Sequence, residues 1–364
     1  MQTKFKNILT VCATAAFLFG FSLWSILKPD LAVSTMERRP LVQFPTPTVH
    51  TIRNGSFMSD FENYTLDQFP LRDQFRTVKT ATSFFVFRQK DSNDIYVQQG
   101  YASKLDYPIH EDSISYACSR FRYLYNTYMA DKNVHIYLSI VPDKNYFLAK
   151  SNGYPSIDYE TFIKKVQEQM DYASYIDILP LLELSDYYRT DSHWRQEKLF
   201  DVAHLLASKM GVTLSAHYTP IKIEQPFYGV YQSVLPLKPD ELYYLEQDFL
   251  TNCRMYDYES ETFLPIYDLD KANSADPYEL FLSGSKSLLR IENPAATSSK
   301  ELIVFRDSFG SSLIPLLIEG YSKITAVDIR YVSPHVLGNF IEFNNQDILF
   351  LYNTSVLNNS ITLK

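Results

Sequence analysis

The run Leu302-Ile303-Val304-Phe305-Arg306-Asp307-Ser308-Phe309-Gly310-Ser311-Ser312 passes from an apolar strand through a polar turn into a helix. That arrangement puts Ser308 at the carboxyl end of a strand, the edge at which open α/β sheets bind ligands. A serine on such a turn exposes its hydroxyl beside backbone N–H groups able to hold an oxyanion, and Gly310 lets the backbone approach closely. The same residues also fit a plainer reading, in which Ser308 only caps the helix that follows. A serine hydroxyl gains nucleophilicity from an adjacent base, so the next requirement is a histidine with a carboxylate to orient it.

Thr190-Asp191-Ser192-His193-Trp194 meets that requirement just before an amphipathic helix over Gln196 to Met210, with Leu199, Phe200, Leu205, Leu206 and Met210 facing inward. Asp191 can accept the imidazole Nδ1–H while the other ring nitrogen faces a serine or substrate, and Trp194 can wall the site and fix the loop by packing. The competing reading makes Asp191 or Ser192 the helix cap and His193 incidental. Of the seven histidines only His193 combines a neighbouring carboxylate with a turn position. His335 is the reserve base, and His135, inside an apolar strand, reads as structural. Clustered cysteines, H-E-x-x-H and a glycine-rich phosphate loop are all missing, so neither a metal nor a nucleotide cofactor is expected.

The elements that must position these residues alternate along the chain. Helical patterns over Ile114 to Ala130, Tyr159 to Tyr172, Ser311 to Ile318 and Pro334 to Phe343 separate strands at Val134 to Val141, Tyr175 to Ile178, Leu302 to Phe305, Ile324 to Val327 and Ile348 to Tyr352. Short apolar strands between helices imply a parallel sheet covered on both faces. Residues 212–289, rich in Tyr, Asp and Pro, read as an insertion of hairpins and loops. Residues 31–100 read as an extended arm leading into one helix from Phe57 to Phe87. Phe57, Phe61, Tyr64 and Leu66 bury one side of it, and Phe69-Pro70-Leu71-Arg72 breaks it.

The twenty residues from Ile8 to Leu27 carry no charge, and at about 1.5 Å per residue they suffice for a bilayer core of about 30 Å. Lys4 and Lys6 precede them, which keeps the N-terminus cytoplasmic and sends the rest of the chain outside. Leu31-Ala32-Val33-Ser34 is a weak cleavage site, so an uncleaved anchor is expected. The expected organisation is thus a stub and transmembrane anchor over 1–30, the arm and helix over 31–100, and an α/β domain over 101–364.

Composition narrows the function further. The 364 residues are 46% hydrophobic and 21% charged, as in ordinary packed domains, and a formal charge of −8 argues against nucleic-acid partners. Three cysteines allow at most one disulfide, leaving open whether Cys118 and Cys253 pair.

Asp191-Ser192-His193-Trp194 resembles the signature of the DHHW family, related to the AlgX/AlgJ-type polysaccharide O-acetylation proteins, with Ser192 in place of the first histidine. Glu37-Arg38-Arg39-Pro40-Leu41, Phe44-Pro45, Asp67-Gln68-Phe69-Pro70-Leu71-Arg72, Val141-Pro142-Asp143-Lys144-Asn145 and Arg306-Asp307-Ser308-Phe309-Gly310 look like that family's other landmarks, in its order. The resemblance implies an SGNH-hydrolase-like α/β fold with permuted motif order, the Asp/His block preceding the serine. It implies a triad of Asp191, His193 and Ser308, an extracytoplasmic role in acetyl transfer to or from a polysaccharide, and a membrane-bound O-acyltransferase partner as acetyl donor. Gly310, Arg330, Tyr352, Asn353 and Trp194 are oxyanion or substrate candidates by place. A second reading is a non-catalytic polysaccharide-binding subunit that uses some of the 28 Tyr and 25 Phe as stacking platforms.

Overall fold

The computed structural model describes residues 2–34, 39–233 and 237–364; the landmark residues Glu37 and Arg38 lie outside them. The chain divides into two compact units, one of residues 1–92 with 232–236, the other of 93–231 with 237–364.

In the first unit, helix α1 (Gln2–Leu27) contains a stretch, Lys4–Leu27, long and apolar enough to cross a membrane. Helices α2 (Ser56–Asp67) and α3 (Arg72–Ala81) follow, the latter running on as a π-helical turn over Thr82–Val86. The single expected helix is broken at Pro70, where Leu71 turns back at φ 57°. Leu66, expected to be buried, is exposed. Asp67 ties the arm down: it accepts two bonds from Arg39, at 2.7 and 2.8 Å, and one from the Val42 N–H. The Arg39 guanidinium holds the Asp67 carboxyl down at about 2.

The second unit is built on an eight-stranded sheet. In chain order its strands are β1 (His135–Val141), β2 (Ser174–Tyr175), β3 (Arg254–Asp257), β4 (Thr262–Leu264), β5 (Leu288–Glu292), β6 (Glu301–Arg306), β7 (Lys323–Val327) and β8 (Asp347–Asn353). Their order in space is β4-β3-β5-β7-β6-β8-β1-β2. The run from β7 to β2 is parallel throughout. The inserted region does more than loop outward, because it supplies β3 and β4, and with β5 these extend the same sheet antiparallel from β7.

Alternation along the central strands sets the layers. Leu302, Val304, Leu349 and Leu351 face α6 (Phe200–Lys209) and α7 (Phe309–Leu317). Ile303, Phe305, Ile348 and Phe350 face α4 (Glu111–Leu124) and α5 (Tyr159–Gln169). Strands buried on both faces favour apolar residues along their interior, so residues 302–305 of β6 and 348–351 of β8 read as continuous hydrophobic runs, with charged or polar residues only at the strand ends.

Two expectations differ. The helix over Pro334 to Phe343 is only a 3-10 turn, Pro334–Asn339, since Gly338 and Asn339 are poor helix formers. His135 opens β1 rather than lying within it, and its side chain faces solvent 3.5 Å from Asp347. Cys118 and Cys253 are free thiols.

Candidate active site

The carboxyl ends of four adjacent parallel strands carry polar residues that the apolar strands could not hold. Asp143 follows β1, Asp307 and Ser308 follow β6, Asp328 follows β7, and Asn353 ends β8. Asp307 is buried between β6 and β8: Oδ2 accepts the Asn353 N–H at 2.6 Å and Oδ1 accepts the Phe309 N–H at 2.9 Å. Burial pushes its carboxyl upward. Asp307 therefore ties down the first turn of α7, and the Ser308 side chain makes no capping bond. Its Oγ points instead to His193, whose Nε2 lies 2.7 Å away.

His193 arrives on a tight loop between β2 and α6. Tyr187 pairs with Trp194 across this loop, and the Tyr188 N–H donates to the His193 carbonyl. Asp191, fully buried, accepts the His193 backbone N–H at 3.1 Å and lies 2.5 Å from ring Nδ1 through Oδ1. Its other oxygen accepts the Val230 N–H at 2.9 Å. A carboxylate on Nδ1 selects the tautomer with its proton there, leaving Nε2 to accept from Ser308. Neither Asp191 nor Ser192 caps α6, whose N-cap is Leu199.

Trp194 is fully buried, so it fixes the loop by packing and lines no open surface. Its indole N–H donates to the Phe309 carbonyl and to Ser312 Oγ, both at 3.0 Å, and its ring meets Phe309 edge-on. Gln196 adds a bond from Nε2 to the Ser312 carbonyl at 2.8 Å. These contacts fix the register of the histidine loop against the serine helix, which lies 115 residues further along the chain.

Gly310, Arg330, Asn353 and His335 have bonds of their own, and Tyr352 is packed into the core. The Gly310 N–H donates to Asp307 O, and a Cβ there would stand 2.8 Å from Arg306 Cβ, so glycine is required by packing. Arg330 makes two bonds to Asp328, at 2.9 and 2.6 Å. Asn353 caps the short helix Thr354–Asn358 and donates to Val141 O. Tyr352 is enclosed, its ring 4.9 Å from that of Phe121. His335 bonds Tyr123 Oη at the surface.

The inserted region furnishes parts that the sequence did not reveal. Tyr278 lies flat on the His193 ring, with centroids 3.9 Å apart and planes 10° from parallel, and its hydroxyl donates to Ser312 Oγ. Gly229 and Tyr231 donate through their N–H groups to Thr190 Oγ1 and Thr190 O, while Asp240 accepts from Arg189 N, Thr190 N and Thr190 Oγ1.

Lys144, from the landmark after β1, is also buried. Its Nζ donates to the Tyr188 and Arg189 carbonyls, and the Tyr231 ring lies 5.1 Å away. Burial pulls its ammonium down to about 7, opposed by the charges of Asp191, Asp240 and Asp143. Asp143 is pushed up to about 6 by burial, although it accepts bonds from Thr354, Asn145 and Tyr159.

Fold and site together define a mixed α/β protein with a Ser-His-Asp array at the carboxyl edge of a parallel-rich sheet. Residues 183–327 match the family model described as DHHW protein. Among solved structures, a DHHW family protein from Eubacterium siraeum is similar at 18% identity and a TM-score of 0.58, covering 75% of this chain and 97% of that one. Bacillus cereus PatB1, solved with a sulfonyl adduct, is similar at 19% identity and 0.57, covering 72% and 95%. The O-acetyltransferase domain of Pseudomonas putida AlgJ is more distant, at 11% identity and 0.45, covering 72% and 92%. At these identities the likeness is one of fold. No curated protein matches the chain.

Proposed function

We propose that this chain is a membrane-anchored, extracytoplasmic enzyme that moves acetyl groups to or from polysaccharide hydroxyls through Ser308, as an O-acetyltransferase or acetylesterase. The observation that carries this reading is the hydrogen-bonded line from Asp191 Oδ1 through the His193 ring to Ser308 Oγ, with steps of 2.5 and 2.7 Å. His193 Nε2 takes the hydroxyl proton as Oγ attacks the acetyl carbonyl, and Asp191 stabilises the imidazolium that results. His193 then protonates the departing alcohol, leaving acetyl-Ser308. A sugar hydroxyl or water, deprotonated by the same nitrogen, takes the acetyl group and returns the serine. Ser308 stands at the N-terminus of α7, whose partial positive charge favours the oxyanion that develops beside it.

The acetyl chemistry rests on the resemblance to the DHHW and AlgX/AlgJ-type proteins, which also suggests a membrane-bound O-acyltransferase as donor. Helix α1 suits an anchor that keeps the site outside the membrane. PatB1 was solved with a sulfonyl adduct, so a sulfonyl fluoride is a fitting probe here. It should label the wild-type chain at Ser308 and leave Ser308→Ala unlabelled; equal labelling of both would remove Ser308 as the nucleophile.

A further inference from the structure

Helix α3 and the turn after it are inside out. Leu71, Phe75, Val78 and Val86 recur at spacings of four, three and eight residues and so share one helical stripe, and all four are exposed, Val78 by 61% and Val86 by 68%. The opposite side holds the polar residues: Thr80 is buried and Arg72 is half-buried against Asp67 at 3.4 Å. An amphipathic helix of a water-soluble domain turns its apolar stripe inward, so this stripe faces a surface that is itself apolar.

Helix α1 identifies that surface. Phe21 stacks on Phe69 with centroids 5.5 Å apart, and Phe75 meets it edge-on at 5.7 Å. Gln68 holds the same end, accepting from Lys28 Nζ and Leu31 N and donating to Leu31 O. Phe21 lies six residues before the end of α1, or about 9 Å along its axis. That is within the depth of about 5–10 Å to which interfacial helices sink. Trp24 and Lys28 then fall at headgroup level, where aromatic rings and cations anchor membrane spans. Lys79, in the last turn of α3, and Arg88, just past the π-helical turn, are exposed and suit anionic headgroups.

We propose that the segment from Phe69 to Phe87 lies on the extracytoplasmic leaflet as an interfacial helix, with Leu71, Phe75, Val78 and Val86 in the lipid. This rests on the reading of α1 as a retained anchor. It makes the membrane attachment two-part, a span and a surface helix locked together through Phe21.

The test uses the full chain, with Cys12→Ser and Cys253→Ser, in nanodiscs of phosphatidylglycerol and phosphatidylethanolamine. A nitroxide is attached through Val78→Cys, Val86→Cys or, as a solvent reference, Glu168→Cys. Oxygen, which concentrates in lipid, should relax the labels at 78 and 86 more than a water-soluble nickel chelate does, with the reverse at 168. Chain that enters the nanodiscs but shows the aqueous pattern at 78 and 86 overturns the surface helix and leaves the anchor standing. Spin–spin broadening at 78 that vanishes on dilution with unlabelled chain assigns the stripe to a second copy and overturns it as well. Failure of the chain to enter nanodiscs at all removes the anchor, and the surface helix with it.

Discussion

Tyr278 and His193 form a parallel stack 3.9 Å apart, although the tyrosine belongs to the inserted region and the histidine to a loop 85 residues earlier. A flat neighbour on one face of an imidazole restricts its tilt, which a carboxylate bonded only at Nδ1 cannot do. Tyr278→Leu should therefore lower kcat on an acetyl ester by about ten- to a hundredfold, roughly 1.4–2.7 kcal/mol of barrier. Tyr278→Phe keeps the stack and loses only the bond to Ser312, so it should retain most activity. Equal losses in the two variants would mean that the hydroxyl, not the stack, matters.

Gly229 gives a second test of how the insertion supports the site. A Cβ at this position would stand 2.3 Å from Thr190 O and 2.4 Å from Asp191 Cβ, closer than atoms can pack. Gly229→Ala must displace the loop that holds Asp191. It should cost about 1–3 kcal/mol of stability by thermal denaturation, together with at least about a tenfold loss of kcat. A folded variant with wild-type kcat would show that Asp191 tolerates the shift.

Lys144 makes the stability of the second unit depend on pH. Its folded value is about 7 against an ordinary 10.5, so between those values the unfolded chain holds a proton that the folded chain has lost. Stability should rise with pH across that window as the penalty for burying an ammonium disappears. Asp143 acts in a separate window: raised to about 6 from 3.8, it costs the fold stability as pH climbs from 3.8 through 6. Trp194 fluorescence in a Trp24→Phe background can follow the melting temperature. The rise between about 7 and 10.5 should vanish in Lys144→Met, and persistence of the same rise would assign it to other groups.

The parts of this molecule legible in the sequence are those set by local pattern. Parallel strands buried on both faces are apolar along their interior, which marks β6 and β8; the polar turn after such a strand marks Ser308; an Asp two residues before a His marks the other pair. What stayed hidden depends on contacts between distant segments. Nothing local to Tyr278, in a 3-10 turn after Pro277, announces a ring stacked on His193. Strands β3 to β5 pair antiparallel with the parallel core, a choice made by neighbours rather than by their own short patterns. Lys144 stood in a recognised landmark, but its burial follows from the Tyr188 and Arg189 carbonyls above it. Position at or just past a strand end does not show that Arg330 bonds Asp328, that Asn353 bonds Val141, or that the Tyr352 ring packs on Phe121.

The most direct measurement of the central claim is turnover of an acetyl ester by the wild type, Ser308→Ala, His193→Ala and their double mutant, each checked for folding. Residues acting as one unit give non-additive losses, so each single variant should lose at least about a thousandfold in kcat and the double variant little more. Asp191→Asn should lose less than either. Robust wild-type activity that survives in Ser308→Ala would contradict the assignment of Ser308 as the nucleophile.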